Sequence, residues 1–335
     1  MESPADHPSI PAPKVGVLLV NLGTPDEPSP AAVRAYLAEF LSDRRVIEIP
    51  RIAWAPILHG IILRTRPAKS AHAYRQVWTE HGSPLAAITR RKAAKLQERL
   101  GPGIIVRHAM RYGRPAMAAE LVRLKDEGCE RILLAPLYPQ YCAATTATAN
   151  DKAFATLAAM RWQPTLRTLP PYHDDGAYID ALKRNLEGQL AKLDFRPERL
   201  LLSFHGMPER TLRLGDPYHC HCRKTARLLG QQLDLPVDVG FQSRFGRAKW
   251  LEPYTDALLA AYPTQGVKRL AVAAPGFSAD CLETLEELGI RGRDTFLGAG
   301  GEAFALLECL NDSAEGMDLL DVLIRRELAG WWPPS

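Results

Sequence analysis

The stretch RLLLSFHGMPER, residues 199–210, carries the pattern that decides the fold. Its three leucines indicate a buried strand, and Gly206 and Pro208 indicate that this strand ends just after His205. The same order of features occurs near the start of the chain, in KVGVLLVNLGTP, residues 14–25. Because an apolar strand followed by glycine and proline occurs in both halves, we expect two related units in tandem.

Strand-like and helix-like segments alternate in both halves of the chain. Apolar runs that end in glycine or proline lie within residues 14–28, 103–115, 130–147, 198–209 and 268–289. Helical periodicity follows the first two runs, at 29–41 and 117–128, and the first of these helices begins with a Ser-Pro pair. This alternation predicts an α/β fold in which mostly parallel sheets are flanked by helices.

The chain length favours two domains, since 335 residues are many for a single core. The Pro- and Ser-containing start predicts a disordered leader over residues 1–14. An N-terminal α/β domain is expected over 15–172, together with a returning C-terminal helix in 313–335. The C-terminal α/β domain is expected over 173–312.

The composition is typical of a globular protein, with 46% hydrophobic and 24% charged residues. A formal net charge of only +4, without a basic run that contains aromatic residues, argues against nucleic acid as a partner. The start of the chain lacks the basic and apolar regions of a secretory signal. No run of about 18 apolar residues is present either. We therefore expect a cytoplasmic protein.

One apolar segment, IAWAPILHGIIL at residues 52–63, allows two interpretations. It is too short to span a membrane, and a proline and a histidine interrupt it. Composition alone slightly favours a core segment or ordinary packing. The alternative is an apolar lip that contacts a membrane or a hydrophobic ligand.

The six cysteines do not predict disulfides, because no secretion signal accompanies them. YHCHCRK, residues 218–224, brings two histidines and two cysteines together, but C-x-C alone is weak evidence for a metal site. The cysteines are Cys129, Cys142, Cys220, Cys222, Cys281 and Cys309.

His205 lies at the end of its predicted strand, where open parallel sheets form their ligand clefts. As an isolated feature, such a histidine is a polar cap on a strand. At a cleft it can accept protons or bind a metal. We expect Gly206 to leave room for a ligand to approach it.

A row of carboxylates follows another strand, in APGFSADCLETLEELG at residues 274–289. At about 100° per residue, Asp280, Glu283 and Glu287 fall on one face of a helix, whereas Glu286 points away. A solvated acidic face near a helix start is the ordinary interpretation of such residues. If this face borders a cleft, the carboxylates can attract a divalent cation and exchange protons.

His205 and Glu283 face one cleft if their two strands belong to the same sheet. A histidine with carboxylates, and without a cysteine cage, suits a metal that is passed on rather than held. Nucleophilic catalysis is less favoured, because Ser203 alternates to the other face of the strand and no G-x-S-x-G motif is present.

At this point the sequence resembles the ferrochelatase family, which inserts ferrous iron into a porphyrin in the last step of heme formation. The resemblance extends from about Val15 to Asp312 and implies two similar Rossmann-like domains with a cleft between them, a chelatase-like fold. The motifs that carry it, in order, are VNLGTPDEP, FLSDRRVIE, GSPL, LYPQY, SFHGMPER, GDPYHC, FQSRFGRAKWLEPYTD and PGFSADCLETLEE.

The resemblance assigns roles to residues at the motif positions. His205 and Glu283 match the family's catalytic and metal-binding residues, and Asp280 and Glu287 match its proton and metal relay. Aromatic, aliphatic and arginine side chains are also suited to bury a flat macrocycle and its propionates. The porphyrin-binding positions are Leu22, Arg111, Tyr112, Tyr138, Trp250 and Phe277.

Substrates and partners follow from the same resemblance. Ferrous iron is a substrate, no cofactor is required, and the NLGTP and CLETLEE motifs favour protoporphyrin IX over coproporphyrin. A 2Fe–2S cluster is not expected, because Cys142 falls beside the cluster position and the usual C-terminal cysteines are missing. Residues 52–63 are a candidate membrane contact, and the preceding porphyrin-producing oxidase is a candidate transient partner.

Two alternatives to this function stay open. One is a heme or metal carrier without activity on the same fold. The other is a chelatase that acts on coproporphyrin or on another tetrapyrrole.

Overall fold

A computed structural model of the chain describes residues 14–246 and 248–331. The predicted leader, residues 1–14, falls outside these ranges except for Lys14, which begins the first strand.

The first half of the chain forms a sheet of four parallel strands. They are β1 (Lys14–Thr24), β2 (Ile104–Gly113), β3 (Cys129–Pro136) and β4 (Thr165–Thr168), in the spatial order β2-β1-β3-β4. The helices of this half are α1 (Pro30–Leu41), α2 (Arg51–Ile57), α3 (Leu63–Val77), α4 (Pro84–Leu100), α5 (Met117–Asp126) and α6 (Thr148–Ala158), with π-helical turns at Leu58–Ile62 and Ala143–Ala147.

The second half forms another sheet of four parallel strands. They are β5 (Arg199–His205), β6 (Val237–Gln242), β7 (Arg269–Ala273) and β8 (Ala303–Leu306), in the order β6-β5-β7-β8. Both sheets therefore have the same topology, which confirms the predicted repeat. The helices are α7 (Gly176–Leu190), α8 (Glu209–Arg213), α9 (Tyr218–Gly230), α10 (Thr255–Ala261), α11 (Arg293–Gly298) and α12 (Ala314–Leu328), with a 3₁₀ turn at Tyr262–Gln265 and a π-helix at Glu283–Gly292.

The central strands are buried on both faces. In β1, Val17 and Leu19 belong to one apolar cluster, whereas Leu18 and Val20 belong to another on the opposite face. Two-sided burial explains the continuous apolar runs, because a parallel sheet covered by helices leaves no solvated face. The cluster that contains Val17 also contains the β5 residues Leu200, Leu202 and Phe204, so one core connects the two sheets.

Helix α1 shows how local sequence sets a boundary. The Ser29 hydroxyl accepts a hydrogen bond from the Ala32 backbone N–H at 3.2 Å, and Pro30 occupies the first helical position. Both residues satisfy the open end of the helix in the predicted way.

The last helix returns across the chain. Helix α12 packs against α4 and β3 of the first half and against α7. The Arg326 guanidinium pairs with Asp175, and Arg99 of α4 pairs with Asp318 at 2.9 Å. The division of the chain at residue 172 with a returning helix stays a prediction.

Residues 52–63 form a partly exposed lip, and Leu58 and Leu63 of this segment are buried in an apolar cluster with Val33 of α1. Ile52 is 93% exposed and Ile61 is 58% exposed, whereas Leu58 is buried. The Trp54 indole N–H donates to the Leu41 carbonyl at 2.7 Å, which fastens the segment to α1. The expected packing is therefore found on one side of the segment, whereas Ile52, Ile57 and Ile61 form an exposed apolar side. Within the described ranges, no helix is long and apolar enough to cross a membrane.

Candidate functional site

The carboxyl ends of β1 and β5 occupy equivalent places in the two sheets. Leu18 pairs with Leu134 on β3, and Leu201 pairs in the same way with Val272 on β7. Four residues further along each strand lie Leu22 and His205. The repeat therefore brings an apolar residue and a histidine to corresponding positions.

Gly206 is required by the neighbouring strand. Its N–H donates to the Gln242 carbonyl at 2.7 Å, and a Cβ at this position would lie 2.5 Å from the same oxygen. Gly23, its counterpart in the first half, is constrained even more, because a Cβ there would lie 1.8 Å from the Tyr112 carbonyl oxygen. We had expected Gly206 to leave room for a ligand, but the contact that demands glycine lies within the protein.

His205 is half-buried at the end of β5, opposite Gln242 on β6. Its Nδ1 lies 2.7 Å from the Gly206 carbonyl oxygen. A carbonyl can only accept, so Nδ1 carries the proton in this hydrogen bond. In the neutral ring, Nε2 then keeps its lone pair, which can take up a proton or bind a metal ion.

Gln242 connects the His205 strand to Glu283. The Ser203 hydroxyl donates to Gln242 Oε1 at 2.7 Å, and Gln242 Nε2 donates to the Glu283 carbonyl at 2.7 Å. The buried Ser203 thus serves the hydrogen-bond network, in agreement with its poor placement for a nucleophile. The FQS sequence at the end of β6 belongs to the FQSRFGRAKWLEPYTD motif, but its pattern does not indicate this link.

The carboxylates lie on a π-helix and not on the expected α-helix. The helix spans Glu283–Gly292, and Asp280 precedes it. Hydrogen bonds from residue i to residue i+5 make each turn wider than in an α-helix. The shared helix face was calculated for Asp280, Glu283 and Glu287 at α-helical spacing. It does not apply to Asp280, because Asp280 lies before the helix begins.

Glu287 and Glu286 both have protein partners. Glu287 accepts from the Ser243 N–H at 2.8 Å and from its hydroxyl at 2.5 Å. Ser243 has a φ of 64°, a strained left-handed conformation for serine that these hydrogen bonds stabilise. Glu286 is buried and accepts from Arg291 Nε at 2.8 Å. Glu286 is predicted to point away from the carboxylate row, and its carboxylate is bound to Arg291.

Glu283 lies against aromatic side chains of the first half. Burial raises the pKa of the Tyr36 hydroxyl, and the negative charge of Glu283 raises it further. The same two causes, in the same order, raise the pKa values of Tyr74 and of the Cys281 thiol. Tyr36 lies on α1 and Tyr74 on α3, and α3 packs against the π-helix that begins at Glu283, so Glu283 lies near helices of the first half.

Four of the predicted porphyrin-binding residues are buried or half-buried in the structure. Leu22 and Phe277 are half-buried, and Trp250 is buried with its indole N–H donating to the Phe245 carbonyl at 2.9 Å. Tyr138 is also buried, and its hydroxyl has no hydrogen-bond partner among the described residues. Burial raises the pKa of this hydroxyl, which therefore stays protonated and can donate.

Arg111 and Tyr112 bind an acid that the sequence pattern did not indicate. Arg111 Nη2 lies 2.5 Å from Asp43 Oδ2, and the Tyr112 hydroxyl donates to the same oxygen at 2.9 Å. The Thr148 hydroxyl donates to it at 2.6 Å. Burial opposes the charge of Asp43, but these hydrogen bonds outweigh it and hold the pKa below its usual value. Asp43 lies in the FLSDRRVIE motif, which was its only signal.

The histidines and cysteines of residues 218–224 point in different directions. His221 stacks on His173 with ring centroids 3.5 Å apart, and His219 packs on Phe241. Cys220 is exposed, whereas Cys222 is buried. Across residues 14–246 and 248–331, no group of three or more His, Cys, Asp or Glu side chains could hold a metal ion. All six cysteines are free thiols, as predicted.

Comparisons with known proteins agree with this geometry. The protein-family model described as Ferrochelatase matches residues 14–328. A ferrochelatase of Rhizobium meliloti is 54% identical over 338 residues, with 99% of this chain and 100% of the relative covered. A ferrochelatase of Methylibium petroleiphilum is 55% identical over 326 residues, with 96% of this chain and 90% of the relative covered.

Solved structures support the fold. SirB from Bacillus subtilis with Fe³⁺ superposes with a TM-score of 0.58 at 12% identity, covering 95% of this chain and 97% of that one. CbiX, the terminal enzyme of siroheme biosynthesis in denitrifying bacteria, gives a TM-score of 0.53 at 15% identity, covering 94% and 100%. At these identities they establish only the predicted two-domain chelatase fold. The family match over nearly the whole chain, and relatives above 50% identity, show that the chain belongs to the ferrochelatase family.

Proposed function

We propose that this member of the family inserts ferrous iron into protoporphyrin IX, with His205 and Glu283 as the residues that act on the reacting groups. Insertion of iron into a porphyrin for heme synthesis follows from the family. The choice of protoporphyrin IX rests on the NLGTP and CLETLEE motifs. The single observation that carries the residue assignment is the His205 hydrogen bond, which uses Nδ1 and leaves Nε2 to act.

The reaction releases two protons, since Fe²⁺ replaces the two pyrrole N–H hydrogens of the porphyrin. His205 Nε2 can accept one of these protons or bind the arriving iron. The Glu283 carboxylate, which faces the same cleft, can accept a proton or guide the metal ion. Iron keeps its oxidation state, so electrons and charge balance without a redox cofactor.

The cleft favours distortion of the macrocycle. A flat porphyrin keeps its nitrogen lone pairs in the ring plane, and bending exposes them to the metal. The binding energy gained when the apolar faces of the macrocycle are buried can drive this bending. We assign the walls to the residues predicted from the motifs, of which Tyr112 and the Tyr138 hydroxyl are buried in the unliganded protein. These residues are Leu22, Arg111, Tyr112, Tyr138, Trp250 and Phe277.

Asp280 and Glu287 are proposed to act near the exit of the protons and the entry of the metal. Glu287 continues the acidic row beyond Glu283, and Ser243 orients its carboxylate. Asp280 is buried at 4% exposure and is held by hydrogen bonds, so it contributes through a fixed position.

The exposed lip at residues 52–63 is proposed to contact the membrane surface. Apolar side chains there are flanked by exposed Arg51, Arg64 and Arg66, and anionic headgroups attract such cations. Protoporphyrin partitions into membranes, so a membrane contact shortens its path into the cleft. The same surface is where a porphyrin-producing oxidase could transfer its product.

An insertion assay separates this function from its alternatives. The purified chain is given Fe²⁺ without oxygen, or Zn²⁺, and the fluorescence change on metalloporphyrin formation is recorded with protoporphyrin and coproporphyrin in parallel. Faster insertion into protoporphyrin supports the proposal. Insertion only into coproporphyrin would show that coproporphyrin, and not protoporphyrin IX, is the substrate. Tight heme binding without insertion would indicate a carrier.

Two variants test the residue assignment. His205→Ala and Glu283→Gln should each lower turnover by about a hundredfold or more, since general acid–base groups contribute factors of this size. His72→Ala removes an exposed imidazole from α3, and Glu286→Gln keeps an oxygen that can accept from Arg291. Both control variants should retain turnover. Near-normal turnover of folded His205→Ala would refute its role.

A further inference from the structure

Asn311, in the segment between β8 and α12, binds Asp280 twice. Its Oδ1 accepts from the Asp280 backbone N–H at 2.8 Å, and its Nδ2 donates to Asp280 Oδ2 at 2.6 Å. Asn311 has a φ of 47°, in the left-handed region that asparagine tolerates better than most residues. The reciprocal pair fixes both the main chain and the carboxylate of Asp280.

Asp280 in turn fixes the beginning of the π-helix that carries Glu283. The Thr284 hydroxyl donates to Asp280 Oδ1 at 2.8 Å and accepts from the Cys281 N–H at 3.0 Å. The Cys309 N–H approaches Asp280 Oδ2 at 3.2 Å. Both carboxylate oxygens therefore have protein donors, and the first turn of the helix is tied to them.

Asp312, the next residue, fastens the same segment to the first half of the chain. Arg91 on α4 contacts both carboxylate oxygens of Asp312, at 2.7 and 3.0 Å. Lys95 Nζ lies 2.6 Å from Asp312 Oδ2 and 2.6 Å from its carbonyl. The hydrogen bond from Arg91, opposed by burial and supported by Lys95, holds the pKa of Asp312 well below its usual value. Lys92, also on α4, donates to the Ser278 carbonyl at 2.5 Å.

We propose that Asn311 is a positioning residue for iron insertion, which holds Asp280 and thereby orients the turn from which Glu283 faces the cleft. The inference rests on the proposed role of Glu283. A misplacement of about 1 Å at a reacting group can lower turnover about a hundredfold. Loss of the two hydrogen bonds between Asn311 and Asp280 should therefore affect the chemical step.

The first test is Asn311→Gly, which removes the amide and tolerates the left-handed backbone. We expect kcat to fall about ten- to a hundredfold, while the KM for porphyrin stays near that of the unmodified chain. Circular dichroism and the thermal midpoint establish that the variant is folded at the assay temperature. Asp318→Asn is the matched control, since it weakens another α4 contact, the exposed Arg99–Asp318 pair. It should leave kcat unchanged.

The second test uses pH as a readout. Asn311→Asp places a carboxyl against Asp280, and the neighbouring carboxylate raises its pKa. The other titratable groups near this pair are Lys92, Asp312, Cys281 and Cys309. At lower pH the new carboxyl is protonated and can donate to Asp280 as the amide does. The kcat of the folded variant relative to the unmodified chain should therefore rise as pH falls, whereas a merely structural role changes the thermal midpoint with pH and leaves the kcat ratio unchanged.

The outcomes separate this inference from the proposed function. If Glu283→Gln keeps full turnover, the role of Glu283 fails. If Glu283→Gln is inactive while folded Asn311→Gly keeps normal kcat, only the positioning role of Asn311 is refuted. A loss confined to the thermal midpoint, with kcat unchanged, also refutes it.

Discussion

Replacement of Asp43 by alanine should destabilise the protein much more than loss of a surface ion pair. The Asp43 carboxylate accepts from Arg111, Tyr112 and Thr148 at 2.5, 2.9 and 2.6 Å. The Arg111 side chain is only 13% exposed, so its charge has little access to water. Removal of the carboxylate leaves this cation uncompensated.

The magnitude follows from what the remaining groups can do. Breaking a buried ion pair by removing one partner typically costs about 3–5 kcal/mol. Part of the loss is recovered, because the Tyr112 hydroxyl lies 3.3 Å from Thr148 Oγ1 and the two can bond to each other. Arg111 Nε also keeps the Thr148 carbonyl at 3.0 Å. We therefore expect the free energy of unfolding to fall by about 3 kcal/mol, near the lower end of that range.

Urea unfolding followed by circular dichroism at pH 7 measures this change. Asp151→Ala is the control, since the Arg45–Asp151 pair is about half exposed on both sides and should contribute about 0–1 kcal/mol. Because the folded pKa of Asp43 is lowered, its contribution is fully present above about pH 4 and is lost as pH falls below that value. Equal, small losses for the two variants would refute the reasoning.

Two further predictions concern His173 and the lip. Burial, followed by the neighbouring His221, lowers the pKa of His173 to about 4, so the fold favours the neutral ring. Its contribution to stability is present above about pH 6.5 and is lost as pH falls towards 4. In the variant His173→Phe, the thermal midpoint should depend less on pH in this window. An unchanged slope of the midpoint against pH would contradict this prediction. Separately, the double variant Ile52→Asp and Ile61→Asp should cosediment less with anionic phospholipid vesicles. The control Phe154→Asp, at another exposed apolar residue, should cosediment normally. Equal binding of the two variants would exclude the lip as the membrane contact.

The repeated sheet could be predicted because its signal is local. Central strands of a parallel sheet are buried on both faces, so KVGVLLV and RLLLSF appear as continuous apolar runs. The glycines that follow them, Gly23 and Gly206, mark the point at which a neighbouring backbone comes close. The family motifs predicted the fold and the reaction, which the structure and the comparisons confirm, and they gave His205 and Glu283 as candidates.

The contacts between distant segments could not be predicted in this way. Asp43 meets Arg111 across 68 residues, and Gln242 meets Glu283 across 41 residues, at positions set by sheet register and helix packing. The π-helix could not be predicted either, because the spacing of apolar residues does not distinguish hydrogen bonds between residues i and i+4 from those between i and i+5. For the same reason the buried pairing of Glu286 with Arg291 was missed.

The equivalence of Leu22 and His205 has a consequence for the two halves as units. A protein built from two copies of the first half would have both sheets, yet a leucine and no imidazole at the strand end where His205 lies. Two copies of the second half would place an imidazole on each side, so that two basic rings would compete for the macrocycle and no side would be left as a passive support. On the proposed roles, the duplicated architecture depends on divergence at this position, with Leu22 of one half holding the substrate and His205 of the other accepting its protons.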